Sequence, residues 1–162
     1  MSNVRRLMQI VGPSLNAEAE CEAILRSLPP WFGIEESLLM YAKDSGRLPT
    51  FAVTEAGRIV GFLSLMQHFA AAWEIHCVAI HAQSRNQGYG KALLAHAERW
   101  LVEQGASLLQ VKTIAATSAT TSYAETREFY SRLGFLPLEV FPQLWSPKNP
   151  CLQLVKLLRE DA

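Results

Sequence analysis

Apolar and polar positions along the chain change their period several times, and the changes mark out its elements. Over Trp73–Ile80 the period is two. Trp73, Ile75, Cys77 and Ala79 fall on one face and Glu74, His76, Val78 and Ile80 on the other, which predicts a strand. Further strands are predicted at Val4–Val11, closed by Gly12-Pro13, and at Thr50–Thr54 and Arg58–Met66, joined by the tight turn Glu55-Ala56-Gly57. Leu108–Ile114, Phe135–Phe141 and Cys151–Leu157 complete the set. Pro142–Pro150 reads as a proline-interrupted loop, so the last two strands are expected to be a widely spaced pair.

Between these runs the period lengthens. Asn16 can cap a helix over Ala17–Leu28, which Pro29-Pro30 stops. A short helix is expected over Ile34–Lys43. A long one runs from Gly88 to Gln104, with Leu93, Ala97, Trp100, Leu101 and Gln104 at helical spacing, Lys91, Glu98, Arg99 and Glu103 outside, and Gly105 as its cap. Ala124–Leu133 forms the last helix, with Thr126, Phe129, Tyr130 and Leu133 inward; Gly134 ends it and Phe135 packs back over the final turn. The small-residue stretch 115–122 is a loop. The order is strand, two helices, three strands, helix, strand, helix, two strands. This predicts a mixed α/β sheet flanked by helices in one domain spanning residues 1–162.

Composition narrows the class. Basic and acidic residues balance at 15 each, so the surplus of positive charge that a nucleic-acid binder uses against phosphates is missing. Cys21, Cys77 and Cys151 have no paired spacing, which argues for reduced, buried thiols rather than disulfides or zinc. His68, His81 and His96 do not form a metal-binding pattern, and His96 is expected to be exposed on its helix. No apolar run is long enough for a membrane span, and no signal-peptide core comes after Arg5-Arg6, so the expected compartment is the cytoplasm.

The chemistry starts at Arg85-Asn86-Gln87-Gly88-Tyr89-Gly90-Lys91, which leaves a strand and opens a helix. The first amides of a helix lack internal partners and sit at the positive end of its dipole, so they suit an anion. Gly88 and Gly90 let the backbone approach a phosphate, and Arg85 and Lys91 add charge. A dinucleotide fingerprint would need a third glycine where Leu93 stands, and a P-loop would need GK[ST].

R-x-x-G-x-G after WEIHCVAI, with LLQVKTI and a helix ending in REFYSRLGF further on, resembles the GNAT superfamily of N-acetyltransferases. The likeness is closest from Trp73 to Leu138. It implies a GNAT-like, mostly antiparallel central sheet that binds acetyl-coenzyme A. The pantetheine arm would lie in a splay between the strands Trp73–Ile80 and Leu108–Ile114, on the backbone of Val78, Ala79 and Ile80. The pyrophosphate would meet the amides of Arg85–Lys91. One departure is Tyr123, where many members carry an asparagine seven residues before the tyrosine.

An alkyl ammonium, pKa ~10.4, must lose a proton before it attacks, which costs about 4.6 kcal/mol at pH 7. Glu74 matches the base of the histone-acetylating branch by its spacing to Gly88. His76, on the same predicted face, is the substitute base. Val78 N–H would stabilise the oxyanion. Tyr130 matches the family tyrosine that faces the coenzyme thiol and is the expected acid. Trp31-Phe32 lies where the family's substrate-shaping loop sits, and Tyr123 and Trp145, in loops, are expected to reach the same cleft. An aromatic wall beside a carboxylate suits a cationic or apolar amine. The expected acceptor is a small-molecule or peptide amine, with no metal, nucleic acid or membrane involved. Exposed terminal strands leave a homodimer open. The alternative is a non-catalytic acyl-coenzyme A binding module on the same fold. A different nucleotide-binding α/β protein fits less well, because of the missing glycine and the antiparallel start of the sheet.

Overall fold

The computed structural model describes residues 8–116 and 122–158. Its strands are β1 (Met8–Val11), β2 (Thr50–Glu55), β3 (Arg58–Phe69), β4 (Ala72–Ile80), β5 (Leu108–Ile114), β6 (Leu136–Ser146) and β7 (Asn149–Leu157). Its helices are α1 (Glu18–Arg26), α2 (Glu35–Asp44), α3 (Tyr89–Glu103) and α4 (Tyr123–Arg132). The predicted element order is the observed one. The sheet runs β1-β2-β3-β4-β5-β7-β6, and β4–β5 is parallel. A parallel neighbour needs a crossover connection, and α3 supplies it. Residues 4–7 of the first predicted strand, and 117–121 of the small-residue loop, lie outside the described residues.

The chain divides into two compact units: Met1–Met66 with His76–Leu101, and Gln67–Ile75 with Val102–Ala162. In the first, β1, β2 and β3 form an antiparallel ladder, with Ile10 opposite Val53 and Ala52 opposite Phe62. The β2–β3 turn places Ala56 and Gly57 at φ 50° and 79°, the left-handed pair that a two-residue hairpin needs. Cys21, Ile24 and Leu25 of α1 and Leu38 and Ala42 of α2 bury themselves with Ala52, Phe62, Cys77 and Ala79. From α3, Leu93, Leu94, Ala97 and Leu101 are buried, and Phe51 packs edge-on against His96 and Trp100.

In the second unit, Ala72–Ile75 pairs in parallel with Leu108–Val111. β5 pairs along its whole length with β7, from Leu108 opposite Leu157 to Ile114 opposite Cys151. α4 is fastened to β5 by Arg127, whose guanidinium donates to the Ile114 carbonyl at 2.6 Å. Phe135 folds back as expected: its N–H donates to the Tyr130 carbonyl, and the two rings meet edge-on at 5.4 Å.

Several local expectations are corrected. Ala17, not Asn16, is the N-cap residue of α1, and no side chain caps it; Glu18 and Glu20 in the first turn answer the dipole instead. Pro142–Pro150 is not a spacing loop. β6 and β7 form a direct hairpin, with Ser146 opposite Asn149 and register shifts after Pro137 and Phe141. Pro142 is tolerated because β6 is the edge strand, and Pro150 stands at the start of β7. His96 is half-buried against Phe51 rather than exposed. Gln104 lies beyond α3 and is exposed, and Tyr130 is the one fully buried residue of α4.

The three thiols are free and buried. Burial pushes the Cys21 thiol up to about 11 and raises those of Cys77 and Cys151, so all three are poor nucleophiles at neutral pH.

Phe62 is fully buried in the first unit. Phe62→Ala is expected to lower unfolding free energy by about 3–5 kcal/mol, read as a lower urea midpoint with an unchanged slope.

Candidate active site

β4 carries out the predicted alternation. Trp73, Ile75, Cys77 and Ala79 are buried, while Glu74, His76, Val78 and Ile80 are half-buried. The loop after it begins with a short turn, Ala82–Ser84, in which His81 Nδ1 accepts from the Gln83 N–H. Asn86 (φ 64°) and Gly88 (φ 81°) then both take left-handed backbone before α3 starts at Tyr89. A Cβ at Gly88 would meet nothing within 4 Å, so glycine there serves the backbone conformation and open access rather than packing. The result is an exposed, left-handed entry into a 15-residue helix, with Lys91 exposed in its first turn. This geometry suits an anion.

Two members of the predicted cradle have other duties. The Arg85 guanidinium lies over the Trp31 ring at 4.5 Å from its centre, a cation–π contact that joins the cradle to the segment after α1. Ala82 N–H donates to Ser27 Oγ at 3.1 Å and ties the same two segments. The Tyr89 side chain has a partner outside the loop. It is buried, and its hydroxyl donates to the Glu55 carboxylate at the end of β2. That bond, with burial, pushes the Tyr89 hydroxyl up to about 12. The Tyr89 side chain is thus committed to Glu55, and only its backbone amide belongs to the predicted cradle.

His76 lies among polar and aromatic groups of α2. Its Nε2 is 2.9 Å from Asp44 Oδ2, and its ring centre is 5.1 Å from that of Tyr41. Tyr41 in turn meets Phe32 edge-on at 6.0 Å, and Trp31 and Phe32 pack against the core formed by α1 and α2. The Asp44 side chain is only 6% exposed. Burial alone would raise its pKa, but hydrogen bonds from Arg47 and His76 hold the carboxyl below the usual carboxylate range.

In the second unit, Glu74 is not a solvent-facing glutamate. Its side chain is 13% exposed, Oε1 lies 2.6 Å from His68 Nε2, and Oε2 accepts from Lys112 Nζ at 3.0 Å. Gln153 donates to Gln110 at 2.7 Å. Tyr130 is buried between Phe129 and Phe135. Tyr123 is the first residue of α4 rather than a loop residue, and burial raises the pKa of its hydroxyl. Trp145 is on β6, exposed with Leu136, Leu138, Val140 and Leu144, not in a loop.

Sequence reasoning missed Asp44, Arg47, Tyr41, His68 and Lys112. Asp44 left one trace: an anion in the last turn of a helix opposes the dipole and needs a partner. Lys112 alternates with buried Val111 and Thr113, and it reaches Glu74 from two residues beyond that residue's register partner, Gln110. Among the described residues no group of His, Cys, Asp and Glu could hold a metal ion, and no helix is long and apolar enough to cross a membrane.

Residues 47–137 match the family model described as the acetyltransferase (GNAT) domain. The chain belongs to the GNAT acetyltransferase family, and its domain is that of an N-acetyltransferase. Solved structures agree in fold. A protein assigned to the GNAT family from Desulfovibrio desulfuricans superposes with a TM-score of 0.83 at 17% identity, covering 94% of this chain and 99% of that one. The ribosomal-protein-S18-alanine N-acetyltransferase of Escherichia coli gives 0.71 at 19%, covering 96% of each chain. A Salmonella typhimurium protein assigned as an acetyltransferase, solved with its cofactor acetyl-CoA, gives 0.67 at 18%, again covering 96% of each. Among curated proteins, none matches by sequence.

The raised Tyr89 pKa has a direct consequence. A group raised above its ordinary 10 stabilises the fold fully below that pH, and the contribution is lost as pH climbs toward about 12. Tyr89→Phe is therefore expected to be less stable than the parent near pH ~8, with the gap closing toward pH ~11. Urea unfolding across that range checks it. A constant gap would mean the hydroxyl is not held as described.

Proposed function

We propose that this acetyltransferase takes acetyl-coenzyme A as donor and acetylates the primary amine of a small molecule or peptide, by direct attack within a ternary complex. The observation that carries the donor assignment is the left-handed, glycine-opened entry into α3, inside the segment matched by the family model. The amides of Arg85–Lys91 receive the pyrophosphate, and the backbone of Val78, Ala79 and Ile80 receives the pantetheine arm. Val78 N–H is the donor to the oxyanion that forms when nitrogen attacks the thioester carbonyl.

β4 offers two acceptors for the amine proton, Glu74 and His76. Glu74 has the family spacing; among the described residues, the second ring nitrogen of His76 has no hydrogen-bond partner. Tyr130 protonates the leaving thiolate, in keeping with its place in the F-Y pair of α4. The acceptor is bound beside Trp31 and Phe32, whose packing on α1 and α2 gives that segment a rigid backing. Relatives of the same fold include an aminoglycoside 6'-N-acetyltransferase and the S18-alanine enzyme, so both small amines and peptide N-termini are reasonable acceptors. A binding-only module draws support from the burial of Tyr130 and from the occupied oxygens of Glu74.

Free-thiol release from acetyl-coenzyme A against polyamines, aminoglycosides, amino acids, aryl amines and peptide N-termini separates the two readings. Acceptor-dependent release is expected, and Tyr130→Phe should lower turnover at least ~10-fold while acetyl-coenzyme A affinity stays within about twofold. Tight binding with no release from any acceptor would favour the binding module.

The cradle has a paired test. Gly57 and Gly88 are both left-handed with open space around the missing side chain, so alanine at either costs about 1–2 kcal/mol of backbone strain. Only Gly88→Ala is expected to weaken acetyl-coenzyme A in calorimetry, and Gly88→Glu to weaken it further. Equal affinities for the Gly57 and Gly88 variants would remove the pyrophosphate from this loop.

A further inference from the structure

Both oxygens of Glu74 are occupied, one by the Lys112 ammonium and one by His68. An amine proton needs an open lone pair to move to, and each oxygen of Glu74 already has a hydrogen-bond partner. His76 differs. Its Nε2 is engaged with Asp44 Oδ2 at 2.9 Å, so Nε2 carries the hydrogen and Nδ1 carries the lone pair. Among the described residues no hydrogen-bond partner meets Nδ1. Asp44 is the part the sequence did not reveal: a carboxylate 6% exposed, kept ionised by Arg47 and His76, at the last residue of α2. Tyr41, one turn earlier, tilts against the imidazole and fixes its plane.

We propose that His76, and not Glu74, accepts the amine proton, and that Asp44 is its positioning residue, holding the imidazole as the Nε2–H tautomer and stabilising the imidazolium that forms. The inference rests on the acetyl transfer proposed above. An alkyl ammonium loses two protons in becoming an amide. The first passes to His76 Nδ1 and from there to solvent. The freed nitrogen lone pair bonds to the thioester carbon, the C–S bond breaks, and the second proton ends on the coenzyme thiol. Among the described residues the charged group bonded to His76 is Asp44, itself bonded by Arg47 just past α2; the nearest carboxylate along β4 is Glu74, paired with Lys112. A His–Asp pair of this kind works by orientation and charge compensation, not by double proton transfer. Glu74, Lys112 and His68 then form a structural polar cluster of the second unit.

A base is needed only while the amine is protonated, and this gives a readout that a purely structural role would not move. Transfer to spermidine, kanamycin and an alanine-initiated peptide is monitored by thiol release from pH ~7 to ~10, the upper end lying near the amine's own pKa of about 10.4. His76→Gln is expected to be about 100-fold slower at pH ~7 and to close to within a few-fold at pH ~10. Asp44→Asn should show a smaller deficit, about 10-fold, that closes in the same way. Acetyl-coenzyme A affinity by calorimetry, within about twofold of the parent, verifies that both variants are folded. A deficit that stays constant with pH in both variants overturns the base assignment. So does a closing deficit in Glu74→Gln with none in His76→Gln. If the parent binds acetyl-coenzyme A yet acetylates none of the three amines, the transferase reading itself fails, and the base with it.

Discussion

The alternation of β4 is the constraint on which the rest depends. Successive side chains of a strand leave on opposite sides, so burying Trp73, Ile75, Cys77 and Ala79 leaves Glu74 and His76 half-buried between them. Neither can stay unpartnered there, because a polar group removed from water without a hydrogen bond is costly. The two solutions differ. Glu74 recruits an ammonium and an imidazole from its own unit. His76 recruits a carboxylate from the end of α2. One strand thus presents a neutralised carboxylate and an oriented imidazole two residues apart.

The proposed anion cradle depends on anchoring in a similar way. Its left-handed residues, Asn86 and Gly88, are open to solvent, and a side chain at Gly88 would touch nothing. The cradle is held instead by its flanks. Tyr89, on the helix side, is pinned to Glu55 at the end of β2. Ala82 and Arg85, on the strand side, are tied to Ser27 and Trp31 after α1. Flanks anchored in this way lower the ordering cost of the ligand proposed for the loop. The tie to Trp31 also places the cradle and the aromatic segment in one neighbourhood of the first unit, since Trp31 and Phe32 rest on the α1–α2 core.

Much of this architecture was legible along the chain because it is written in local terms. Period-two burial in β4, the Ala56-Gly57 turn, the glycine-bearing entry to α3 and the fold-back of Phe135 each depend on residues within a few positions of one another. The failures have a common cause as well. Pro142–Pro150 read as a loop because proline breaks an interior ladder; the position of β6 at the sheet edge permits Pro142, and Pro150 falls at the start of β7. Tyr89 entered the sequence reading only through its amide; that a carboxylate 34 positions earlier holds its side chain was not visible along the chain.

By itself the sequence determined the element order, the alternation of β4 and the glycine-bearing entry to α3. Those depend on hydrophobic period and backbone preference, which are properties of neighbours in the chain. Tertiary structure alone decided which titratable groups meet. Asp44 reaches His76 across 32 positions and Lys112 reaches Glu74 across 38. Electrostatic partners are chosen by distance in space at low dielectric, and no pattern along the chain encodes that distance.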